Sequence, residues 1–164
     1  MGQMRKANIA DVKKISQIKV LGWQNAYRGI IDNTYLDTLS LEEDMAKKMG
    51  NMLNGTLYYV YEENSKILGF VCFGRDEQTV DLFELFAIYV TPECKFNGIG
   101  TTMINFVKNE AFISGYTKMH LWCLKDNIIG RNFYEKNGGT LNNKKVINIG
   151  NQSLEEVEYV FDCN

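Results

Sequence analysis

The stretch from Leu85 to Thr102 constrains this chain most. A run of apolar residues, Leu85 to Val90, ends at Thr91-Pro92. Proline cannot donate to a sheet ladder and drives the residue before it toward an extended shape, so a strand stops there. A polar loop bearing Gly98 and Gly100 follows. Ile99, Met103, Phe106 and Val107 then recur at helical spacing, which opens a helix near Gly98. The order is strand, glycine loop, helix N-terminus. Glycine lets a backbone turn tightly and approach a ligand. The first amides of a helix lack intrahelical partners and sit at the positive end of its dipole. Together these make a seat for phosphate.

Two common phosphate seats are poor fits. A nucleotide P-loop closes with Gly-Lys-Ser/Thr, whereas Gly100 runs directly into Thr101-Thr102. A dinucleotide fingerprint needs a third glycine where Met103 stands. It also needs a tight turn where Thr91 to Phe96 intervene. The flanks point elsewhere. Ile88-Tyr89-Val90-Thr91-Pro92-Glu93 followed by Lys95-x-x-Gly98-x-Gly100 resembles the acyl-CoA-binding motif of the GNAT superfamily of N-acetyltransferases. Lys95 departs from the usual Gln/Arg: it meets a phosphate as a point charge, without arginine's planar fork. The resemblance implies acetyl-CoA as co-substrate, with no metal. Lys95, Phe96, Asn97, Gly98, Ile99, Gly100 and Thr101 would line its diphosphate. The backbone of Ile88, Tyr89 and Val90 would take the pantetheine arm as a pseudo-strand and supply oxyanion donors, freed by a bulge or splay.

A second segment, Asn127-x-x-Gly130-Arg131-x-Phe133-Tyr134 ending in Gly138-Gly139, is similar to the other GNAT signature. Gly130 replaces the usual Ala and Gly139 the usual Phe. Gly130 costs about 1 kcal/mol of helix propensity. Acetyl transfer from a thioester to an amine needs a neutral amine, near-attack geometry, oxyanion donors and a proton for the leaving thiolate. By the resemblance Tyr134 is the acid beside the CoA sulfur. The alternative is an aromatic packed on the sheet. Glu84, in Leu82-Phe83-Glu84-Leu85-Phe86, is the candidate base, since burial lifts a carboxyl pKa toward neutrality. A solvent-facing or paired glutamate is the competing reading. Asn127 would hold the cofactor or its water, cap the helix, or both. Arg131 would meet a CoA phosphate or solvent.

The remaining chain reads as alternating elements. Arg5 to Asn8 is a short strand running into a cap. Ile9, Val12, Ile15 and Ile18 mark a helix to about Asn25. Trp23, Tyr27 and Arg28 lie at its end; they pack on the sheet or, by the resemblance, line the acceptor pocket. Ser40 and Glu43 form a capping box that opens a helix to about Leu53. Strands follow at 56–61, 67–73 and 80–90, the last long enough to carry a bulge. After the glycine-loop helix come a strand at 118–124, a helix at 128–136, and a final pair at 140–149 and 154–161. This is one α+β acetyltransferase domain over 1–164, a mixed, mostly antiparallel sheet of about seven strands with helices on both faces.

Composition excludes other classes. Hydrophobic residues make up 45% and the net charge is −2, which suits a packed globule and gives nucleic acid no basic stripe. No apolar run reaches membrane-spanning length. Cys72, Cys94, Cys123 and Cys163 form no Cys-x-x-Cys pair and read as reduced cytoplasmic thiols. His120 completes no zinc set at useful sequence spacing, and no metal is expected. The implied function is direct acetyl transfer to a primary amine of a small molecule or an exposed amino group. A transfer-dead CoA-binding sensor of the same fold is the alternative, and an ATP-using kinase-like fold is a third. By family likeness the final strand pair is a candidate homodimer surface.

Overall fold

The computed structural model describes residues 1–164. Strands β1 (Gln3–Lys6), β2 (Leu57–Glu63), β3 (Lys66–Arg75), β4 (Phe83–Val90), β5 (Lys118–Leu124), β6 (Thr140–Ile149) and β7 (Gln152–Asp162) join in one sheet. Their spatial order is β1-β2-β3-β4-β5-β7-β6. All neighbours are antiparallel except β4 and β5. The helices are α1 (Val12–Ala26), α2 (Asn33–Asp37), α3 (Leu41–Leu53), α4 (Ile99–Ile113) and α5 (Ile128–Lys136). The mixed seven-stranded α+β sheet expected from the sequence is present.

Each sheet face buries a core. On one, Met103, Ile104 and Val107 of α4 pack on Phe73, Leu85, Leu121 and Phe161, with Phe133 and Tyr134 of α5 alongside. On the other, Ile15 and Ile18 of α1 pack on Tyr58, Val60 and Phe70. A smaller cluster of Ile31, Leu36 and Leu124 joins α2 to the end of β5. Burying each such side chain contributes about 1.5–3 kcal/mol. No helix is long and apolar enough to cross a membrane.

Several boundaries differ from the sequence reading for local reasons. The first strand runs Gln3–Lys6, and Asn8 is the cap it leads into: its side chain accepts from the Ala10 amide at 2.9 Å, while its own amide donates to Asp11 at 2.9 Å. A 3-10 turn at Ile9–Asp11 therefore precedes α1. Helix α2 was not foreseen. Five residues are too few to show periodicity, and only the Asp32 carboxylate accepting from the Thr34 amide at 2.8 Å marks its start. Strand β4 begins at Phe83 instead of 80, because the Asp76 amide bonds the Leu82 carbonyl and closes a turn.

The expected bulge falls in β4. Cys72 pairs with Ala87 and Phe73 with Leu85, so Phe86 is the extra residue. It resets which side chains share a face. Leu85, Ile88 and Val90 all pack toward α4, whereas Ala87 and Tyr89 pack toward α1. Between β4 and β5 only Phe83–Met119 and Glu84–His120 are paired. Past those rungs the parallel strands part, and the Leu85–Val90 edge carries no ladder to β5.

Candidate active site

The glycine loop is built as a ring of open amides. A 3-10 turn at Pro92–Cys94 leaves the end of β4, and Phe96 (φ 66°) and Gly98 (φ 82°) take left-handed backbone. Gly98 caps α4 with no side chain filling the cap. The amides of residues 96 to 101 donate to no carbonyl or side chain of their own chain; the first bond back is the Thr102 amide to the Gly98 carbonyl at 3.0 Å. A Cβ at Gly98 would touch nothing within 4 Å, so the space before the helix end is free. At Gly100 the constraint differs: a Cβ would lie 2.9 Å from the Phe133 ring of α5. The Phe96 ring is 91% exposed beside the loop. Among the sequence candidates here, Lys95 and Asn97 lie on the loop surface, but the Ile99 side chain is buried in the α4 core, so it offers only its amide.

The opening between β4 and β5 is lined by hydroxyls. Tyr27 from the end of α1, Tyr89 from β4, Tyr134 from α5 and the Cys123 thiol from β5 lie near one another. Burial is the main cause that raises all four pKa values, Cys123 to about 12. Neighbouring cleft groups add to it at Tyr27 and Tyr134, while the hydrogen bonds from Trp23 and Tyr27 oppose it at Tyr89 and Arg131 opposes it at Cys123. Each therefore stays protonated at neutral pH. Tyr134 makes no hydrogen bond with the protein; its ring packs on Phe133 at 5.4 Å and Tyr159 at 5.9 Å. The Trp23 indole donates to the Tyr89 hydroxyl at 2.7 Å and meets Tyr27 edge-on at 5.2 Å. The Tyr89 side chain is thus part of the α1 wall, and only the Ile88–Val90 backbone faces the parted strands. The two best-marked surface hollows, about 230 Å³ beside Tyr35 and Gly150 and about 570 Å³ beside Arg75 and Tyr116, share no residue with this cleft.

Glu84 sits at the last β4–β5 rung and is partly buried. Burial raises its carboxyl pKa, with Asp76 and Glu156 adding to it against His120 and Lys145. Beside it stands a group that sequence reasoning left without chemistry. His120 is 3% exposed; its Nδ1 lies 2.6 Å from the Glu158 carboxylate, and its Nε2 faces Asp76 at 3.3 Å and Glu84 at 3.9 Å. The sequence signal was modest: His120 and Glu158 are single polar residues between buried apolar neighbours, Met119/Leu121 and Val157/Tyr159.

Two other candidates make bonds within the chain. Arg131 is partly exposed. Its Nε donates to the Tyr159 hydroxyl at 3.0 Å and an end nitrogen donates to the Lys125 carbonyl at 3.2 Å, which pins α5 onto β7. Arg28 pairs with Asp37 at the surface, tying the end of α1 to α2. Asn127 caps α5, accepting from the Gly130 amide at 3.1 Å, and leaves its side-chain NH2 uncommitted.

Comparison with known proteins places this architecture. Residues 21–139 match the Acetyltransferase (GNAT) family. The chain is 30% identical over 131 residues to the uncharacterised N-acetyltransferase YuaI of Bacillus subtilis, covering 77% of this chain and 74% of that protein. It is 23% identical to a spermidine N(1)-acetyltransferase of Thermoplasma acidophilum, covering 83% of this chain and 86% of that one. Its fold resembles the PaiA N-acetyltransferase of the same organism, solved in complex with coenzyme A, at TM-score 0.75 and 21% identity, over 96% of this chain and 98% of that one. It also resembles an acetyltransferase from Salmonella typhimurium solved with acetyl-CoA, at TM-score 0.75 and 19% identity, over 100% and 95% of the two chains. The chain therefore belongs to the GNAT family, and it is an N-acetyltransferase that uses acetyl-CoA.

Proposed function

We propose that this single-domain protein, residues 1–164, transfers acetyl from acetyl-CoA directly to the primary amine of a cationic small molecule in the cytoplasm. The supporting observation is the meeting of unspent amides at 96–101 with an unladdered β4 edge. One end holds a diphosphate, and the other aligns an extended arm, so the thioester falls in the cleft under Tyr134. Lys95 and the Asn127 NH2 stand at its flanks as further cofactor contacts. Amides of Ile88–Val90 stabilise the oxyanion. The Tyr134 hydroxyl has no partner within the chain, and its raised pKa keeps the proton in place for the departing thiolate.

On the amine side, Glu84 takes the ammonium proton, directly or through water. The acceptor enters from the face carrying α1, where Trp23 and Tyr27 supply aromatic surface and Glu84 and Glu156 supply negative charge. Aromatic faces and carboxylates attract ammonium groups. The relative that is a spermidine acetyltransferase adds weight to a polyamine-like acceptor.

The test is thiol release from acetyl-CoA across polyamines, aminoglycosides, amino acids and peptide amines. Turnover is expected with a polyamine. CoA binding without turnover on any amine would leave only the sensor reading.

A further inference from the structure

We propose that Asp76, Glu84 and His120 form a binding site for a divalent first-row transition-metal ion such as Zn2+, and that the ion switches acetyl transfer off by taking Glu84. The inhibitory half rests on Glu84 being the base; the binding half does not.

The geometry comes first. One ligand atom from each of the three residues lies within 4.8 Å of the others. Bonds of about 2.0–2.2 Å at tetrahedral angles put ligand atoms roughly 3.3–3.6 Å apart. His120 Nε2 is 3.3 Å from Asp76 Oδ2 and 3.9 Å from Glu84 Oε2, so closure on an ion needs only a small movement of the partly buried Glu84.

The state of the imidazole comes second. The Glu158 carboxylate, itself 4% exposed, faces Nδ1 at 2.6 Å, so Nδ1 carries a proton. In the neutral ring Nε2 then presents a lone pair. That nitrogen is buried, has no hydrogen-bond partner, and points at two carboxylate oxygens, which are acceptors only. A metal cation in the space between them would satisfy all three at once. A carboxylate on the distal ring nitrogen is also the usual support for a metal-bound histidine. Asn142 in turn donates to the other Glu158 oxygen at 2.8 Å.

Charge comes third. Asp76, Glu84 and Glu158 have no lysine or arginine within ion-pair distance; His120 is their shared partner. One imidazole offsets at most one of three carboxylates, and buried carboxylates persist when paired or bound to metal. One nitrogen and two oxygens suit Zn2+, Co2+ or Mn2+; Ca2+ needs six to eight oxygens. Glu84 is the member most open to solvent, so an ion enters past it and completes its shell with water. The transfer reaction itself calls for no metal, so this ion is an inhibitor rather than a cofactor.

The chain has one histidine, which makes the test clean in protein made without a histidine tag. Chelator-stripped protein is titrated with Co2+, read by its visible absorption, and with Zn2+, read by calorimetry and by the NMR signals of the sole imidazole. One ion per chain and displaced imidazole signals are expected. Asp76→Asn, which keeps the oxygen that accepts from Gln78, and His120→Gln should each abolish both signals while melting cooperatively. Glu158→Gln should retain the site with affinity lowered about 10–100-fold. In a parallel assay Zn2+ should inhibit wild-type turnover but not that of Asp76→Asn.

Absence of a Co2+ band and of Zn2+ heat in the wild type would overturn the site, leaving the His120–Glu158 pair as a structural contact. Binding that survives both ligand variants would overturn it equally. Binding at this site with turnover untouched would sustain the metal site and overturn the role of Glu84 as base.

Discussion

Glu84 is held where its ionised form is disfavoured, by burial first and by Asp76 and Glu156 next. Its basic form therefore fills only above the ordinary carboxylate range. In chelated buffer, kcat/KM should climb with pH through that raised value and level off once Glu84 is ionised. Glu84→Gln should lower turnover by about 10²–10⁴ and erase this acidic limb. An unchanged limb would assign it to another group. The stability sign is opposite: a raised carboxyl pKa means the folded state gives up stability as pH rises through it. Tyr134 has a distinct signature. Tyr134→Phe keeps the ring contacts with Phe133 and Tyr159 and removes only the proton donor. Turnover should drop by about 10²-fold or more while acetyl-CoA affinity stays within a factor of about three; wild-type turnover would remove Tyr134 from the mechanism. The glycine departures from the family pattern also have local causes. A Cβ at Gly139 would lie 2.8 Å from the Phe161 ring and 2.9 Å from the Tyr134 carbonyl, so no larger residue fits that turn. At Gly130 it would lie 2.5 Å from the Asn127 amide nitrogen, so the cap and the glycine depend on each other.

Helix α5 carries Tyr134 and is fastened by one hydroxyl. The Tyr159 hydroxyl donates to Glu135 at 2.6 Å and accepts from Arg131 at 3.0 Å. Tyr159→Phe should cost about 1 kcal/mol of stability, since it removes two hydrogen bonds whose charged partners can turn to water. It should also lower turnover more than acetyl-CoA affinity; denaturant unfolding and steady-state kinetics check both halves. The glycine loop gives a paired contrast. Gly98→Val forces a β-branched residue into left-handed backbone and fills the space before α4, so acetyl-CoA binding should vanish. Gly100→Ala presses on Phe133 instead, so its first effect should be on turnover through the neighbouring Tyr134. Calorimetric affinity separates the two; unchanged affinity in Gly98→Val would mean the loop seats no diphosphate. These elements also show what could be read in advance. The β4–loop–α4 unit was legible because its signals, a proline stop, two glycines and a helical repeat, lie within one contiguous stretch. The roles of Arg131 and His120 were not. Their partners, Tyr159 for one and Asp76 and Glu158 for the other, arrive from distant strands, and the register of β5 on β7 decides who meets whom. Period-2 alternation says which face a residue takes but not which residue stands across from it.

At the scale of the molecule, the sheet is two halves whose strands meet at one short seam. Strands β1 to β4 form one half and β5 to β7 the other, joined by the rungs Phe83–Met119 and Glu84–His120. The α4 core, which holds Phe73 and Leu85 with Leu121 and Phe161, also spans the halves, and the cluster of Leu124 with Ile31 and Leu36 is a smaller tie. In the proposed pose a cofactor arm laid along Ile88–Val90 occupies the gap where the ladder is missing, and its diphosphate rests on α4, which packs on the first half and on β5. Acetyl-CoA held in this way bridges both halves, so its binding should stiffen the seam as well as the loop. At a ligand concentration of 100 times Kd the stabilisation is about 2.7 kcal/mol. For a chain of this length that raises Tm by roughly 5–10 °C. Hydrogen exchange should slow at amides 96–101, which have no partner in the free chain, and also at 88–90 and 121–124 across the gap. Protection confined to the loop would mean that the arm lies outside the parted strands, and the thioester would then not reach Tyr134.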